Sequence, residues 1–165
     1  MTRYVIMGVS GCGKSTVGLA VAEAAGLDFV DGDTLHPRDN IAKMARGEPL
    51  DDTDRAPWLR QVGDRLTENT LIACSALKRR YRDIIREHAG GEVTFLYLRG
   101  RRDTLIERME HRDGHFMPVA LLDSQLETLE EPGDGESVLA ADIEATLDEI
   151  VEKLVADMTP EEDHG

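Results

Sequence analysis

Cysteine, aromatic residues and long apolar runs are all scarce in this chain of 165 residues, which has two Cys, one Trp, three Tyr and three Phe. Two cysteines, Cys12 and Cys74, are too few for a disulfide framework. The sequence opens without the charged region, long apolar region and cleavage site of a secretory leader. No apolar run approaches the roughly 18 residues of a membrane-spanning helix. We therefore expect a cytoplasmic protein in a reducing compartment.

Basic residues are also in deficit, with 19 Lys plus Arg against 33 Asp plus Glu and a net charge of −14. Such a charge repels phosphate backbones and anionic lipids, so neither nucleic acid nor a membrane surface is an expected partner. The deficit is uneven, because residues 127–165 hold 14 acidic residues and one lysine, whereas residues 78–112 hold ten basic and six acidic residues. We interpret this as a solvated acidic end and a basic centre that can accept anionic substrates.

Short apolar runs alternate with helical periodicity along most of the chain. The length, 41% hydrophobic residues and 32% charged residues are typical of one globular domain. The predicted strands lie near residues 4–7, 27–30, 71–74, 93–98 and 138–141. Strands of this kind alternating with helices predict an α/β fold, a five-stranded parallel sheet covered by helices on both faces. We expect the domain to cover residues 1–158, followed by a polar tail over residues 159–165.

The segment from Gly8 to Ser15 matches the phosphate-loop pattern G-x-x-x-x-G-K-[ST] at every fixed position. A buried strand precedes it and a helix follows, as the motif requires; the alternative is a chance glycine turn between the two. Backbone N–H groups of such a loop surround a phosphate, and the Lys14 ammonium reaches the β- and γ-phosphates while the Ser15 hydroxyl binds Mg²⁺. The expected nucleotide-binding residues are Gly8, Val9, Ser10, Gly11, Cys12, Gly13, Lys14, Ser15 and Thr16. The Cys12 thiol is expected to take no part in catalysis.

Asp31-Gly32-Asp33 follows the second predicted strand, at the sheet edge where ligands bind in folds of this class. The short chain has no clear guanine-reading motif, so a small phosphotransferase fits best. One carboxylate could orient Mg²⁺ through water while the other accepts a hydrogen bond from the attacking hydroxyl. The alternative is an Asx turn in which Asp33 caps the following helix.

The loop from His111 to Pro118 lies between two predicted helices and contains Arg112. A lid of this kind excludes water and brings a cation to the transferring phosphoryl group. The alternative is a surface loop with incidental charge. The sequence alone is consistent with either a lid or a surface loop.

A basic run, Lys78 to Arg82, follows the third predicted strand. Basic runs on helices are usually solvated. At the strand end, however, Ser75 and Lys78 could reach a polar or anionic substrate. We expect Arg80 and Arg82 to face solvent.

With these residues in view, the chain resembles the gluconokinases, a group of small P-loop kinases. The phosphate loop is common to many families, and more specific strings carry the resemblance. They are Asp31-Gly32-Asp33, Leu35-His36-Pro37, Gly47-Glu48-Pro49-Leu50, Cys74-Ser75-Ala76-Leu77-Lys78, Tyr81-Arg82-Asp83 and Gly114-His115-Phe116. The resemblance implies transfer of the γ-phosphoryl group of ATP to D-gluconate, giving 6-phospho-D-gluconate, and it is compatible with a homodimer.

The resemblance also implies roles for individual residues. Asp33 would bind the substrate hydroxyl and be the candidate base, and Asp31 would be an outer Mg²⁺ ligand. Arg112 and His115 would belong to the lid, where Asp113 departs from the family pattern. Arg108 would stack on adenine. The residues implied near the acceptor are His36, Arg38, Arg55, Ser75, Lys78 and Gln125.

Two other functions remain open at this point. One is a kinase for a different small hydroxylated anion, such as shikimate or a nucleoside monophosphate. The other is a nucleotide-binding regulatory module that has lost phosphoryl transfer. Asp33 and the expected lid argue against the second, because binding alone requires neither.

Overall fold

The computed structural model describes residues 3–9, 12–48, 50–67, 69–110, 119–133 and 135–158. Within these ranges, five strands form one parallel sheet in the order β2-β3-β1-β4-β5. The strands are β1 (Arg3–Met7), β2 (Asp28–Asp31), β3 (Thr70–Ala73), β4 (Val93–Arg99) and β5 (Val138–Asp142). The predicted α/β class and the five parallel strands are therefore confirmed. The expected lid at 111–118 and tail at 159–165 lie outside the described residues.

Seven α-helices connect or flank the strands in the described ranges. They are α1 (Lys14–Ala25), α2 (Arg38–Ala45), α3 (Asp52–Arg65), α4 (Arg79–Ala89), α5 (Arg102–Glu110), α6 (Val119–Thr128) and α7 (Leu147–Met158). A 3-10 turn, Gly32–Leu35, joins β2 to the segment before α2. Helix α2 begins at Arg38, because Pro37 is its extended N-cap. Helix α3 begins at Asp52, where Asp51 and Asp54 form a capping box.

The sheet separates two apolar clusters because alternate side chains of a strand point to opposite faces. Ile6 and Leu96 pack on one face with Val21 of α1 and Leu154 of α7. The opposite face carries a second cluster, which includes Val5, Ile72, Phe95, Leu59 of α3 and Ile85 of α4. Helices thus cover both faces of the sheet, as predicted.

Arg82 corrects one prediction from the sequence. It does not face solvent but is fully buried in α4, where its guanidinium pairs with the equally buried carboxylate of Glu136. Arg80, by contrast, is exposed as expected. Because Glu136 belongs to the acidic C-terminal part of the chain, that part is not wholly solvated either.

Candidate active site

The segments that follow β1, β2 and β3 meet at one edge of the sheet, because parallel strands end on the same side. The backbone N–H of Gly8, after β1, donates to the carbonyl of Ser75, after β3, at 3.4 Å. The 3-10 turn after β2 packs on the end of β3. The predicted phosphate loop, Asp31-Gly32-Asp33 and Ser75 to Lys78 therefore lie in neighbouring positions.

Close packing shapes the phosphate loop. A Cβ atom added to Gly8 would lie 2.7 Å from the Cys12 sulfur and 2.9 Å from the Leu98 carbonyl oxygen, and Gly13 has a left-handed φ of 91°. Both positions therefore require glycine. Ser10 and Gly11 of the predicted motif lie outside the described residues. The Cys12 thiol is buried, and this burial raises its pKa, so the thiol is neutral.

Helix α1 begins at Lys14, directly after the loop, and no side chain caps its N-terminus. The Lys14 ammonium donates to the carbonyls of Gly8 at 3.0 Å and Val9 at 3.3 Å. The Ser15 and Thr16 side chains are exposed in the first turn of the helix. A cation, the start of a helix that no side chain in the described ranges caps, and two hydroxyls thus lie together at the loop, as a phosphate site requires.

Arg108 approaches the same loop from α5. One of its guanidinium nitrogens would lie 3.7 Å from a Cβ added to Gly13, and another donates to the carbonyl of Ile143 at 2.8 Å. Arg108 therefore lies between the phosphate loop and the segment after β5. This position, at the start of α1, is compatible with its predicted contact with a nucleotide.

Asp31, the last residue of β2, and the next two residues have separate structural roles. The Asp31 carboxylate accepts a hydrogen bond from the Asp33 backbone N–H at 3.0 Å, so Asp31, and not Asp33, caps the following turn. A Cβ on Gly32 would lie 2.3 Å from the Ala73 carbonyl oxygen, so only glycine permits this approach. The Asp33 carboxylate has no hydrogen bond or ion pair with any residue in the described ranges, which leaves it available to a ligand.

The electrostatic environment of Asp33 suits a base. Desolvation by the surrounding protein raises the pKa of this carboxyl above 3.8, and the negative charge of Asp31 raises it further. The positive charge of Lys14 opposes both effects. The Asp33 carboxylate is therefore a stronger base than an ordinary aspartate, and it lies within electrostatic reach of the phosphate-loop lysine.

A cationic cluster surrounds Tyr81 near the start of α4. Arg55 of α3 donates to the Tyr81 hydroxyl at 3.0 Å, and that hydroxyl donates to the Asp52 carboxylate. Lys78 donates to the same carboxylate at 3.3 Å. The Tyr81 hydrogen bond and the nearby cations lower the pKa of Asp52, which keeps it ionised. Arg80 also contacts Asp52, at 2.9 Å.

Two of the predicted acceptor residues, Arg55 and Lys78, thus meet in this cluster. Their charged groups lie 5.4 and 5.5 Å from the centre of the Tyr81 ring. The sequence reasoning missed Tyr81 and Asp52 as site residues. Tyr81 was present in a string that carries the family resemblance, which is the one signal that pointed to it.

His36 lies between this cluster and the Asp33 turn. Its ring stacks on Trp58 with ring centres 4.0 Å apart, and the Trp58 indole N–H donates to the Gly32 carbonyl at 2.8 Å. The amide of buried Asn40 contacts His36 Nδ1 at 3.2 Å. Burial, together with the positive charge of Arg55, lowers the pKa of His36 to about 4. His36 is therefore neutral at physiological pH.

Four predicted site residues remain, namely Arg38, Gln125, Arg112 and His115. Arg38 is exposed in the first turn of α2. Gln125 lies in α6, and Glu130 just beyond that helix donates through its backbone N–H to the Leu77 carbonyl at 2.8 Å. Arg112 and His115 lie outside the described residues.

Two features are absent from the described part of the chain. No group of three or more His, Cys, Asp or Glu residues there is arranged to hold a metal ion. No helix in the same ranges is both long enough and apolar enough to cross a bilayer.

Comparison with known proteins identifies the relatives of this chain. A family model described as shikimate kinase matches residues 10–157. The thermoresistant gluconokinase of Escherichia coli (strain K12) is 48% identical over 155 residues, 90% of this chain and 88% of that protein. The gluconokinase of Gluconobacter oxydans (strain 621H) is 44% identical over 92% of this chain and 88% of its own length.

A solved structure agrees with these sequence relatives. The crystal structure of a gluconokinase from Sinorhizobium meliloti 1021 superimposes with a TM-score of 0.90 and 49% identity, covering 99% of this chain and 94% of that chain. The resemblance noted in the sequence is confirmed. The chain belongs to the gluconokinases, a family of phosphotransferases within the P-loop kinases of the shikimate kinase fold.

Proposed function

We propose that the protein transfers the γ-phosphoryl group of ATP to D-gluconate, producing 6-phospho-D-gluconate and ADP. The observation that carries this proposal is the Asp33 carboxylate, which has no partner among the described residues and lies within electrostatic reach of Lys14, in a chain 44–48% identical to gluconokinases. A protein that only binds nucleotide needs no such base. A phosphotransferase needs one close to the phosphate loop.

The phosphate loop and α1 would bind the triphosphate. On binding, the Lys14 ammonium exchanges its contacts with the Gly8 and Val9 carbonyls for β- and γ-phosphate oxygens. It then stabilises the charge that develops during transfer. Arg108, beside Gly13, would contact the nucleotide base. The proposed nucleotide-binding residues are Gly8, Val9, Ser10, Gly11, Cys12, Gly13, Lys14, Ser15, Thr16 and Arg108.

The residues near the loop also fit Mg²⁺. The Ser15 hydroxyl is exposed at the start of α1, and one Asp31 oxygen caps the next turn while the other has no partner in the described ranges. Oxygen donors of this kind suit Mg²⁺, with Ser15 as a direct ligand and Asp31 acting through water. The ion would neutralise negative charge on the β- and γ-phosphates.

Asp33 would receive the proton of the attacking hydroxyl. The pKa of Asp33 is raised and so lies closer to neutral pH than that of an ordinary aspartate. Proton transfer from a hydroxyl to Asp33 is therefore more favourable than transfer to an ordinary aspartate. Lys14 would bind the phosphoryl group near Asp33, so the attacking hydroxyl and the phosphorus atom would be held close to each other. Arg112 would add a cation to the transferring group from the lid.

The cluster around Tyr81 would recognise the acid group of gluconate. Arg55 and Lys78 supply two cations, and a carboxylate ligand can compete with Asp52 for them. The hydroxyl groups of gluconate need neutral donors and acceptors, which His36 and Ser75 provide. We assign Arg38, His115 and Gln125 to the same acceptor site.

The test is a turnover assay with ATP, Mg²⁺ and a panel of acceptors that includes D-gluconate, other sugar acids, shikimate and nucleoside monophosphates. We expect the highest kcat/KM with D-gluconate, and a phosphate monoester at C6 in the product by ³¹P and ¹H NMR. If gluconate gave no ADP above background, the proposal would fail. A higher kcat/KM with shikimate or a nucleotide would reassign the acceptor, and nucleotide binding without single-turnover ADP release would indicate a regulatory module.

We further propose that the protein acts in the cytoplasm. Cys12 and Cys74 are both free and buried, as expected of a protein made in a reducing compartment, and the phosphate loop requires a supply of ATP. Fractionation of cells that express the tagged protein, with a periplasmic and a cytoplasmic marker enzyme, tests this.

A further inference from the structure

Asn40 is a buried polar residue that the proposed mechanism does not use. Its side chain is 4% exposed and lies between α2 and α3, next to the imidazole of His36. Its Nδ2 atom is 2.9 Å from the backbone carbonyl oxygen of Asp54 and 3.2 Å from His36 Nδ1. Buried polar groups of this kind are expected to have a defined hydrogen-bonding role.

The contact with Asp54 fixes the orientation of the amide. A backbone carbonyl only accepts, so the Asn40 atom facing it must be the nitrogen that donates. The opposite orientation would set the Asn40 oxygen against the carbonyl oxygen of Asp54. One amide hydrogen therefore binds Asp54, and the other is directed at His36 Nδ1.

The orientation of the amide then fixes the tautomer of His36. Because Nδ1 accepts the Asn40 hydrogen bond, it carries a lone pair, and the single proton of the neutral ring is on Nε2. A charged imidazolium would direct an Nδ1–H at the Asn40 amide, and it would face the guanidinium of Arg55. The positive charge of Arg55 disfavours protonation of the ring. Both contacts favour the neutral ring.

The Nε2–H group is available to a ligand. Within the described ranges, His36 Nε2 has no hydrogen-bond partner, and every buried side-chain nitrogen or oxygen has one, so Nε2 is accessible to solvent. The stacked Trp58 ring fixes the plane of the imidazole. The His36 backbone N–H donates to the Asp33 carbonyl at 3.4 Å, so His36 directly follows the turn that carries the candidate base.

We infer that Asn40 is a positioning residue that holds His36 in the Nε2–H tautomer, so that His36 donates a neutral hydrogen bond to an oxygen of the acceptor. The inference rests on the proposed function for the identity of the acceptor, D-gluconate. The assignment of the tautomer does not depend on it. A neutral donor on the segment that follows the Asp33 turn distinguishes hydroxyl oxygens by their orientation, which contributes to the choice of the hydroxyl that is phosphorylated.

The first experiment observes the tautomer directly, by long-range ¹H–¹⁵N NMR of the five histidines in the labelled full chain. The His36 signals are identified as those lost in His36→Gln. At pH 7 we expect a protonated Nε2 and a bare Nδ1, and a shift of the Nε2 signal on adding D-gluconate. In Asn40→Asp, the new carboxylate accepts from Nδ1, so the proton moves to Nδ1. A wild-type spectrum with the proton on Nδ1 would overturn the inference.

The second experiment measures KM for gluconate in two matched variants. The amide nitrogen of His36→Gln reaches the position of Nε2, whereas that of His36→Asn reaches only the position of Nδ1. Both variants lose the stacked ring, and we expect KM for gluconate to be about tenfold higher in His36→Asn than in His36→Gln, the value of one neutral hydrogen bond, with KM for ATP the same in both. Equal KM values for the two variants would contradict the donor role.

Asn40→Asp adds a pH signature that a purely structural role would not give. The introduced carboxylate raises the pKa of His36, and below that pKa the ring regains its Nε2–H. We expect kcat/KM for gluconate in Asn40→Asp to fall about tenfold as pH rises through this pKa, while the wild type shows no such fall. If the variant did not fold, the wild-type spectrum and the two His36 variants would still decide the question. If gluconate were not the acceptor, the spectrum would still report the tautomer.

Discussion

Arg82 and Glu136 form a buried, two-pronged ion pair, with Arg82 Nε 2.7 Å and Nη2 3.1 Å from the two carboxylate oxygens. Their side chains are 0% and 1% exposed. The same guanidinium donates to the carbonyl of Ala76, a residue with a left-handed φ of 44°. The pair therefore joins α4 to the segment before β5 and holds the loop that carries Ser75 and Lys78.

Replacing Arg82 by Met should lower the free energy of unfolding by about 3 kcal/mol, the lower end for breaking a buried pair, because Glu136 loses its two-pronged partner and keeps only Arg86, 3.1 Å away. Arg80→Met, at the neighbouring position that is 69% exposed, is the matched control and should cost less than about 0.5 kcal/mol. Urea unfolding followed by circular dichroism measures both. Similar losses in the two variants would show that the buried pair has no special role. The double variant Arg82→Met with Glu136→Gln should recover part of the loss, since it leaves no unpaired charge.

This ion pair also marks the limit of what the sequence predicts. The strand positions and the strand, glycine-rich loop and helix around Lys14 depend on neighbours within a few residues, so local patterns predict them correctly. Arg82 was expected to face solvent because its helix is rich in cations, and the partner that buries it is 54 residues away. No periodicity contains that information.

The same reasoning applies to the site. Lys14 and Asp33 were predicted because a motif and a strand end identify them. Asn40 was not predicted, because its role depends on a backbone carbonyl of α3 and on the His36 ring, which come together only in the folded chain. Polar residues that act through another residue leave little trace in a single sequence.

Lys14→Ala should lower kcat/KM about 1,000-fold or more, because it removes the cation that stabilises charge on the transferring phosphoryl group. The fold should be retained, since the hydrogen bonds that the ammonium makes within the described ranges are two, both to carbonyls of its own loop. Turnover and circular dichroism measured on the same sample test this. Lys153→Ala, a partly exposed lysine of α7, is the control and should keep wild-type activity. Undiminished activity in Lys14→Ala would contradict the assignment of the phosphate loop.

Gly32→Ala should lower the free energy of unfolding by about 1–3 kcal/mol, as overpacked sites do. It should also impair turnover. The added Cβ would meet the Ala73 carbonyl oxygen at 2.3 Å, and the backbone shift that relieves this contact would displace both Asp31 and Asp33. Gly133→Ala is the matched control, because nothing lies within 4 Å of its added Cβ. Thermal unfolding and the gluconate assay should separate the two variants, and equal behaviour would argue against close packing of Gly32 on β3.

His36 should make the stability of the protein depend on pH. Its pKa is about 4 in the folded state and 6.5 in the unfolded chain, so between these values the unfolded state binds more protons. Stability is therefore lost as pH falls from 6.5 towards 4. The charged group that acts on His36 is Arg55, and it opposes protonation.

His36→Gln removes this proton uptake. After allowance for partial exposure, between pH 7 and pH 4.5 the wild type should lose about 2 kcal/mol more free energy of unfolding than the variant. Urea unfolding at the two pH values measures the difference. Parallel losses in the two proteins would show that His36 does not titrate in this window.

Asp33→Asn should lower kcat by about 100- to 10,000-fold, the usual contribution of a general base, while KM for ATP stays within about threefold. Its matched control is Asp39→Asn, an exposed carboxylate of α2 that should keep full activity.

In the wild type, kcat/KM should fall as pH drops through the Asp33 pKa, because the carboxylate must be ionised to accept the proton. Since desolvation and Asp31 raise that pKa, the fall begins at a higher pH than an ordinary aspartate would give. Asp33→Asn has no group to titrate there, so its residual activity should lack this limb. A kcat for Asp33→Asn equal to that of Asp39→Asn would remove Asp33 from the reaction.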